Sequence, residues 1–267
     1  MTTYTLGSDD PEIARLNQQA LFLAAPTRVL LAASGIAAGM QVLDLGTGLG
    51  HVALAAADLV GPTGTVVGVD NDPKMIDLAS RLAQGRANVR FVEGDVHGWS
   101  SHDSFDVVVG RLILFHLADP ITAIRNSLRV VQPGGRAVFL DYDIGALRAE
   151  PPEPLTTRMV ELTMQAFRAA GADPTIGARL RALLAEAGLV DVGGFGIVSY
   201  LGEDEPIGSA MFAGVIRSLA PVITGRGLAS LEELDLDSLS DRIAAAMQET
   251  HAVIVPPVLA GAWGRRP

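Results

Sequence analysis

Val42-Leu43-Asp44-Leu45-Gly46-Thr47-Gly48-Leu49-Gly50 is the stretch on which the reading of this chain turns. Its first half is a short apolar run broken by one carboxylate, the pattern of a strand buried on both faces. Its second half has a glycine at every other position. Glycines are needed where a chain turns sharply from strand into helix, and where a ligand approaches backbone N–H groups at a helix start. A dinucleotide fingerprint would read Gly-x-Gly-x-x-Gly, with the helix N-terminus against a pyrophosphate. Here residue 51 is His, so the last glycine comes one place early. Taken alone, the loop is as compatible with a plain turn as with a binding site. Its context favours the site: Asp44 ends the strand directly before the loop, where a carboxylate would repel a pyrophosphate but could hold a cationic group.

Outward from this loop, residues 40–141 alternate β-branched runs with longer helix-period segments, the signature of βαβ units and a mostly parallel sheet. Strands are expected over 41–45, 65–70, 89–93, 105–110 and 136–141, and helices over 51–60, 73–83 and 120–130. Asp72 is the expected N-cap of the second of these helices, with Pro73 at its first position. Segment Gln132-Pro133-Gly134-Gly135 is expected to stop the third helix and turn into the fifth strand. Residues 94–104 are expected to form a loop with at most one turn. The second strand ends in Asp70, followed by Asn71, with Asp70 placed to accept hydrogen bonds from a ribose diol. The third leads into Glu93-Gly94-Asp95-Val96. Three carboxylates, Asp44, Asp70 and Asp95, around one crevice call for an electropositive, nucleoside-bearing ligand.

On the flanks, a helix is expected from Asp9-Asp10-Pro11 to about residue 25, and a second, punctuated by Pro26, ending at Gly35. Further helices are expected over about 155–170, 176–187, 209–219 and 231–250, and strands over 190–200 and 252–263. The expected organisation is an N-terminal helical cap segment (1–35), a cofactor-binding core (36–141), a cap insertion (142–175), a core continuation (176–200), a helical cap insertion (201–251) and the last core strand (252–267).

Composition narrows the function. The chain has 267 residues, 49% of them hydrophobic, with 30 acidic against 20 basic side chains and no cysteine. A net charge of −10 argues against a phosphate-tracking nucleic-acid surface, which requires clustered Lys and Arg, and against an anionic membrane surface. Zero cysteine excludes disulfides, thiolate zinc sites, cysteine nucleophiles and arsenic acceptors handled through thiolates, and suits a reducing compartment. No signal-peptide pattern is seen in residues 1–10, and apolar stretches such as 29–38 are cut before the ~20 residues of a membrane span. A cytoplasmic protein is expected. No His or carboxylate spacing forms a metal site.

The set Val42 to Gly50, Gly68-Val69-Asp70, Glu93-Gly94-Asp95 and Pro133-Gly134-Gly135, in this order and spacing, resembles the class I S-adenosylmethionine-dependent methyltransferases over about residues 36–200. The resemblance implies a Rossmann-like α/β fold: a seven-stranded, mostly parallel sheet with the last strand antiparallel, helices on both faces and here a helical cap. It implies S-adenosyl-L-methionine as cofactor. Asp44 and the loop Gly46, Thr47, Gly48 and Gly50 would line its methionine portion and ribose. Asp70, with Asn71 beside it, would take the ribose hydroxyls, and Met75 would pack near the adenine. Asp95 would accept from the adenine amino group and Val96 offer backbone, while Gly110 and Arg111 would border the methionyl end. A sulfonium is well served by carboxylates and by an absence of nearby cations. More loosely, Tyr4-Thr5-Leu6-Gly7, Glu12 and Arg15-Leu16, Gly110-Arg111-Leu112 and Ala262-Trp263-Gly264-Arg265 resemble a bacterial subgroup acting on small molecules.

For catalysis, His116 follows the fourth strand at the edge where an acceptor should sit, and His titrates nearest neutral pH; a buried structural histidine fits the position equally. Tyr142, between Asp141 and Asp143 at the end of the fifth strand, could bind or deprotonate an acceptor, or these residues could simply end the strand. Arg111 could instead pair with a neighbouring acid. His51 could cap its helix or contact cofactor. His97 and His102 are expected in a solvated loop, and Tyr4 could close over the site. The expected function is methyl transfer to a small, apolar or amphipathic acceptor, at an O, N or C atom, with no nucleic-acid or membrane partner and an oligomer open. The acceptor pocket would be walled by the N-terminal helices and residues 142–175 and 201–251. Two other readings stay open: a cofactor-binding protein catalysing a cyclisation or rearrangement, and a nicotinamide-dependent oxidoreductase, against which the early third glycine and Asp95 argue.

Overall fold

The structure, a computed structural model, describes residues 10–96, 99, 103–202 and 204–267. Tyr4 to Gly7, His97 and His102 lie outside the described residues. Nine strands are defined among the described residues: β1 (Gln41–Leu45), β2 (Thr65–Asp70), β3 (Val89–Glu93), β4 (Phe105–Arg111), β5 (Val131–Asp143), β6 (Arg148–Glu150), β7 (Val190–Ile197), β8 (Val253–Val255) and β9 (Val258–Arg265). Seven form one sheet in the order β3-β2-β1-β4-β5-β9-β7. The first five are mutually parallel, and β9 runs antiparallel to both β5 and β7. The order reverses between β1 and β4, so the crevice of this sheet lies outside the carboxyl ends of those two strands.

The inner strands β1, β2, β4 and β5 are buried on both sides, neighbouring residues pointing to opposite faces. Val42, Val66, Val107 and Val138 join one apolar cluster, while Leu43, Val67, Val108 and Phe139, one residue on, join the other. Each such side chain, fully removed from water, contributes about 1.5–3 kcal/mol before conformational entropy is counted. The first cluster is covered by α2 (Ala24–Ala33) and α3 (His51–Val60), which follow α1 (Asp10–Phe22). On the edge near β2 and β3 lies α4 (Pro73–Leu82). The second cluster is covered by α5 (Pro120–Ser127), α6 (Pro154–Ala169), α7 (Leu180–Glu186), α8 (Ile207–Gly225) and α10 (Leu239–Thr250), with α9 (Leu231–Leu234) between the last two. The start signal acid-proline recurs. Asp72, Asp119 and Glu153 each accept from backbone amides of the turn they open, with proline next in the chain.

Several boundaries differ from expectation, each for a local reason. The strand expected over 252–263 is cut by Pro256-Pro257, which lack the N–H a ladder requires. Its first part, β8, pairs instead with β6 in a separate two-stranded sheet, and Ile254 bridges Leu201. β5 begins at Val131 rather than 136, because the Gly134 amide donates to Arg266 and the Gly135 carbonyl accepts from it. The helix expected over 231–250 breaks at Asp235, which is left-handed (φ 42°). Pro26 lies in the first turn of α2 rather than ahead of it, and 176–179 is a 3-10 turn before α7. α8 is longer than expected, passing through Pro221. By length and composition it could cross a membrane, with mean hydropathy 1.5, and 44% of that window is buried in the structure. It packs against α6, α10 and α1.

Candidate active site

The glycine loop is built by hydrogen bonds that reach across the crevice. Gly46, Gly48 and Gly50 all have positive φ, 64°, 52° and 83°, so residues with a Cβ would be strained at each. The Thr47 amide donates to the Val69 carbonyl (2.9 Å), and the Gly48 amide to Asp70 Oδ2 (2.8 Å). Ile113 packs over Gly46, where an added Cβ would lie 2.5 Å from its Cδ1, whereas a Cβ at Gly48 would meet nothing within 4 Å. Gly48 therefore faces open space. Leu112, between β4 and Ile113, takes a left-handed conformation (φ 55°) that costs a leucine about 1–2 kcal/mol.

Asp44 lies beneath this loop. Its Oδ2 accepts from the Thr47 hydroxyl at 2.6 Å, while Oδ1 is buried with no hydrogen-bond partner. Burial dominates, pushing the carboxyl up to about 7 against the opposing Thr47 bond and the Arg111 charge. A buried carboxylate oxygen with no donor is costly. Asp70 accepts from Gly48 and, through Oδ1, from the Asp72 amide (3.0 Å). Its carboxyl is raised, burial outweighing those amide bonds. Each carboxylate oxygen has two acceptor sites, so Asp70 keeps capacity for a ligand.

A cavity of about 630 Å³ opens over the loop. Gly46, Thr47, Gly48, Asp70, Asn71, Met75, Asp95, Val96 and Arg111 line it, as do His116 and Tyr142. Two expected cofactor residues do not reach its wall. Asp44 is screened by Thr47, and Gly50 turns the chain into α3 with its missing side chain directed at Phe91 and Ala79. His51, the first residue of α3, lines the cavity, and its Nε2 meets Asn17 Oδ1 at 3.2 Å. Burial lowers its pKa.

The other end of the cavity is apolar with a polar girdle. Leu16 and Ala20 of α1, Phe167 of α6, Met211 and Phe212 of α8 and Ile254 of β8 are among its walls, which matches the expected segments and adds Ile254, Pro256 and Pro257. Arg111 donates to the Thr27 hydroxyl at 2.8 Å rather than forming a direct pair with a carboxylate. Arg111 and Arg15 both line the cavity, so cations stand in its wall beside the carboxylates. Tyr142 is bonded to Gln19, and burial raises its phenol. His116 packs edge-on against Phe115, and burial pushes its imidazole down to about 3. Asp141 is not a cavity residue. It caps the 3-10 turn Leu114–His116, accepting from the amides of Leu114 (3.0 Å) and Phe115 (3.4 Å), and burial raises it to about 7. Asp143 likewise caps its own turn through Gly145 (3.0 Å). The contributions of Gln19 and Pro256-Pro257 carried no motif. Glu12 and Arg15, noticed only as part of a resemblance, form a bidentate pair at 2.8 and 2.6 Å. Among the described residues no group of three His, Asp or Glu could hold a metal.

Residues 36–188 match a family model described as a methyltransferase domain. The chain belongs to that methyltransferase family. Its type is the class I S-adenosylmethionine-dependent one, with the Rossmann-like sheet described above. Proteins similar in sequence include a methyltransferase named YcgJ from Bacillus subtilis, 37% identical over 105 residues, 38% of this chain and 40% of that one. Another is the ubiquinone/menaquinone biosynthesis C-methyltransferase UbiE of Ectopseudomonas mendocina, 33% identical over 138 residues, 50% of this chain and 52% of that one. The crystal structure of YcgJ superposes with a TM-score of 0.57 at 20% identity, covering 90% of this chain and 98% of that one, which speaks to fold alone. The chain spans about half the length or less of these curated relatives. The family's cofactor is S-adenosylmethionine, and the crevice fits it. The open face of Gly48 leaves room for a ligand against the loop backbone, and the carboxylates of Asp70 and Asp95 line the cavity, where they can accept hydrogen bonds or face a cation.

Proposed function

We propose that this protein transfers a methyl group from S-adenosylmethionine to an O, N or C atom of a small apolar or amphipathic metabolite. The observation that carries this is one continuous cavity whose carboxylate-lined end adjoins the glycine loop and whose apolar end is roofed by α1, α6 and α8. When bound, the cofactor supplies a methyl group on a positively charged sulfur, which passes to the acceptor by in-line displacement. In this reading Asp70 and Asn71 hold the ribose, Met75, Asp95 and Val96 the adenine, and the Gly46 to Gly48 loop, with Asp44 behind it and Arg111 beside it, the methionyl portion. Gly50 sets the turn that presents those amides.

The remaining chemistry of the chain is positioning and exclusion of water. A group serves well as a base when its pKa lies near the working pH. His116 is too weakly basic and Tyr142 too weakly acidic for that, so both act as neutral hydrogen-bonding groups that orient an acceptor. Relatives named as C-methyltransferases of ubiquinone/menaquinone biosynthesis support a small-molecule acceptor, and the acidic chain supports neither nucleic acid nor an anionic membrane as partner. The test is calorimetry with S-adenosylhomocysteine and NADH, followed by incubation with S-adenosylmethionine and pooled apolar metabolites. Binding of the first ligand alone and its stoichiometric release with a product 14 mass units heavier are expected. A product formed without S-adenosylhomocysteine would overturn methyl transfer.

A further inference from the structure

The charged groups lining the cavity are sorted by sign. Asp70, Asp72 and Asp95 lie at or just beyond the ends of β2 and β3, while Arg111 ends β4 and Arg15 projects from α1. The two arginines differ in setting. Arg111 is tied to Thr27 of α2 and feels the charge of Asp44, which places it on the glycine-loop side. Arg15 stands on α1 with its stem against Gly214 of α8, and its charge acts on His116 and on Tyr142. It is therefore at the boundary between the loop and the apolar chamber.

Arg15 is also held rigidly. Its Nε and one Nη bond both oxygens of Glu12, and Glu12 Oε2 accepts from Ser218 of α8 at 2.9 Å. The side chains of Arg15 and Glu12 are 10% and 2% exposed. A buried ion pair is weak evidence for stability, since desolvation offsets most of its Coulomb energy. A guanidinium whose plane is fixed by a carboxylate on one edge, with its charge set in a cavity wall, is instead suited to recognising an anionic oxygen. Its neighbours toward the chamber add hydrogen bonding without negative charge: a neutral His116, a protonated Tyr142 and Gln19.

We propose that Arg15, oriented by Glu12 and Ser218, is the residue that selects the acceptor, and that the acceptor is an apolar molecule carrying an acidic oxygen such as a carboxylate, phenolate or enolate. This rests on the methyltransferase reading of the cavity. The apolar body fills the space between Phe167, Met211 and Phe212, and the oxygen meets the guanidinium beside α1, where that helix packs on α8.

The test uses 1-naphthoate and its neutral isostere 1-naphthamide, titrated calorimetrically into the full chain saturated with S-adenosylhomocysteine. Wild type is expected to bind naphthoate at least tenfold tighter than the amide. Arg15→Gln should weaken naphthoate about tenfold while leaving naphthamide and S-adenosylhomocysteine within twofold. Arg15→Lys keeps the charge but not the fork; it should weaken naphthoate by less than Arg15→Gln, and it serves alone if the glutamine variant does not fold. Equal affinity of wild type for the two probes, or no binding of either, overturns the proposal. So does a tenfold loss of S-adenosylhomocysteine in Arg15→Gln, which would assign the arginine to the cofactor's carboxylate. If wild type does not bind S-adenosylhomocysteine, the methyltransferase reading fails by itself, and the same titrations on the bare protein still decide Arg15.

Discussion

Replacing Asp44 by Asn tests the account of the site at its most strained point. The Asp44 carboxyl is buried and titrates at about 7 in the folded chain, against 3.8 as its ordinary value. Below pH 3.8 it is protonated whether the chain is folded or not, and it contributes nothing. Between 3.8 and 7 the unfolded chain releases the proton and the folded chain does not, so stability falls as pH rises, and above 7 the whole penalty is present. A shift of about three units at ~1.4 kcal/mol per unit sets a ceiling of about 4 kcal/mol at pH 8. At pH 5 only the interval above 3.8 counts, which leaves about 1–2 kcal/mol. Asn carries no such charge, and its amide oxygen can still accept from Thr47, although an amide group there without a partner gives back about 1–3 kcal/mol. Asp44→Asn should therefore raise the melting temperature of the ligand-free protein at pH 8 by a few degrees, at ~2 °C per kcal/mol for this length. Its advantage should shrink by about 2–3 kcal/mol on going to pH 5. The assay is thermal unfolding by circular dichroism across pH 5–8, paired with calorimetry of S-adenosylhomocysteine, for which the same variant should lose affinity. A melting difference that is flat with pH, or a variant less stable at pH 8 than at pH 5 relative to wild type, would refute the reasoning.

Three other outcomes follow from the geometry. Asp70→Ala removes the acceptor that holds the Gly48 amide and the proposed ribose contact, and S-adenosylhomocysteine affinity should drop by about 1.5–3 kcal/mol; unchanged affinity in calorimetry would displace the ribose from Asp70. Gly50→Ala puts a methyl group 2.8 Å from Phe91 and 3.0 Å from Ala79 at φ 83°. Overpacking and left-handed strain together should cost about 2–4 kcal/mol, seen as a melting temperature lower by roughly 4–8 °C, and an unchanged melt would contradict the packing described. His116→Gln should leave the shape of the pH–rate profile between pH 6 and 9 as in wild type, because the imidazole is already neutral across that range. A lost inflection near neutral pH would make His116 a base after all.

The nucleotide-side half of the site was legible because its demands are local. A left-handed turn needs glycine, a helix start needs Asp-Pro, and a two-sided strand needs consecutive β-branched residues. Gly46 to Gly50, Asp72-Pro73 and Val107 to Val109 meet those demands within a few residues of sequence. Asp44 shows where this stops: the carboxylate was visible, but that Thr47 would cover it and leave one oxygen without a donor depends on the rotamer of a neighbour. The proline pair at 256–257 was equally visible, yet the strand it cut off finds its partner, β6, about 100 residues earlier in the chain, and no local pattern announces that.

The part of the cavity proposed for the acceptor is assembled from contacts between distant segments, so Tyr142 and Arg15 were visible singly in the sequence while their pairings were not. Ser218 reaches Glu12 across 206 positions. Tyr142 of β5 meets Gln19 of α1. These are side chain to side chain contacts, so either partner can change without disturbing the backbone. On the loop side, Asp70 is bonded to the amides of Gly48 and Asp72, so changing it alters the backbone path that a nucleoside must recognise. It follows that substitutions at Arg15, Gln19 or Tyr142 should redirect acceptor preference with little effect on cofactor affinity, whereas substitutions at Asp70 should affect every acceptor alike. On the proposed assignment, the two ends of the cavity separate what binds the shared cofactor from what distinguishes this chain's acceptor.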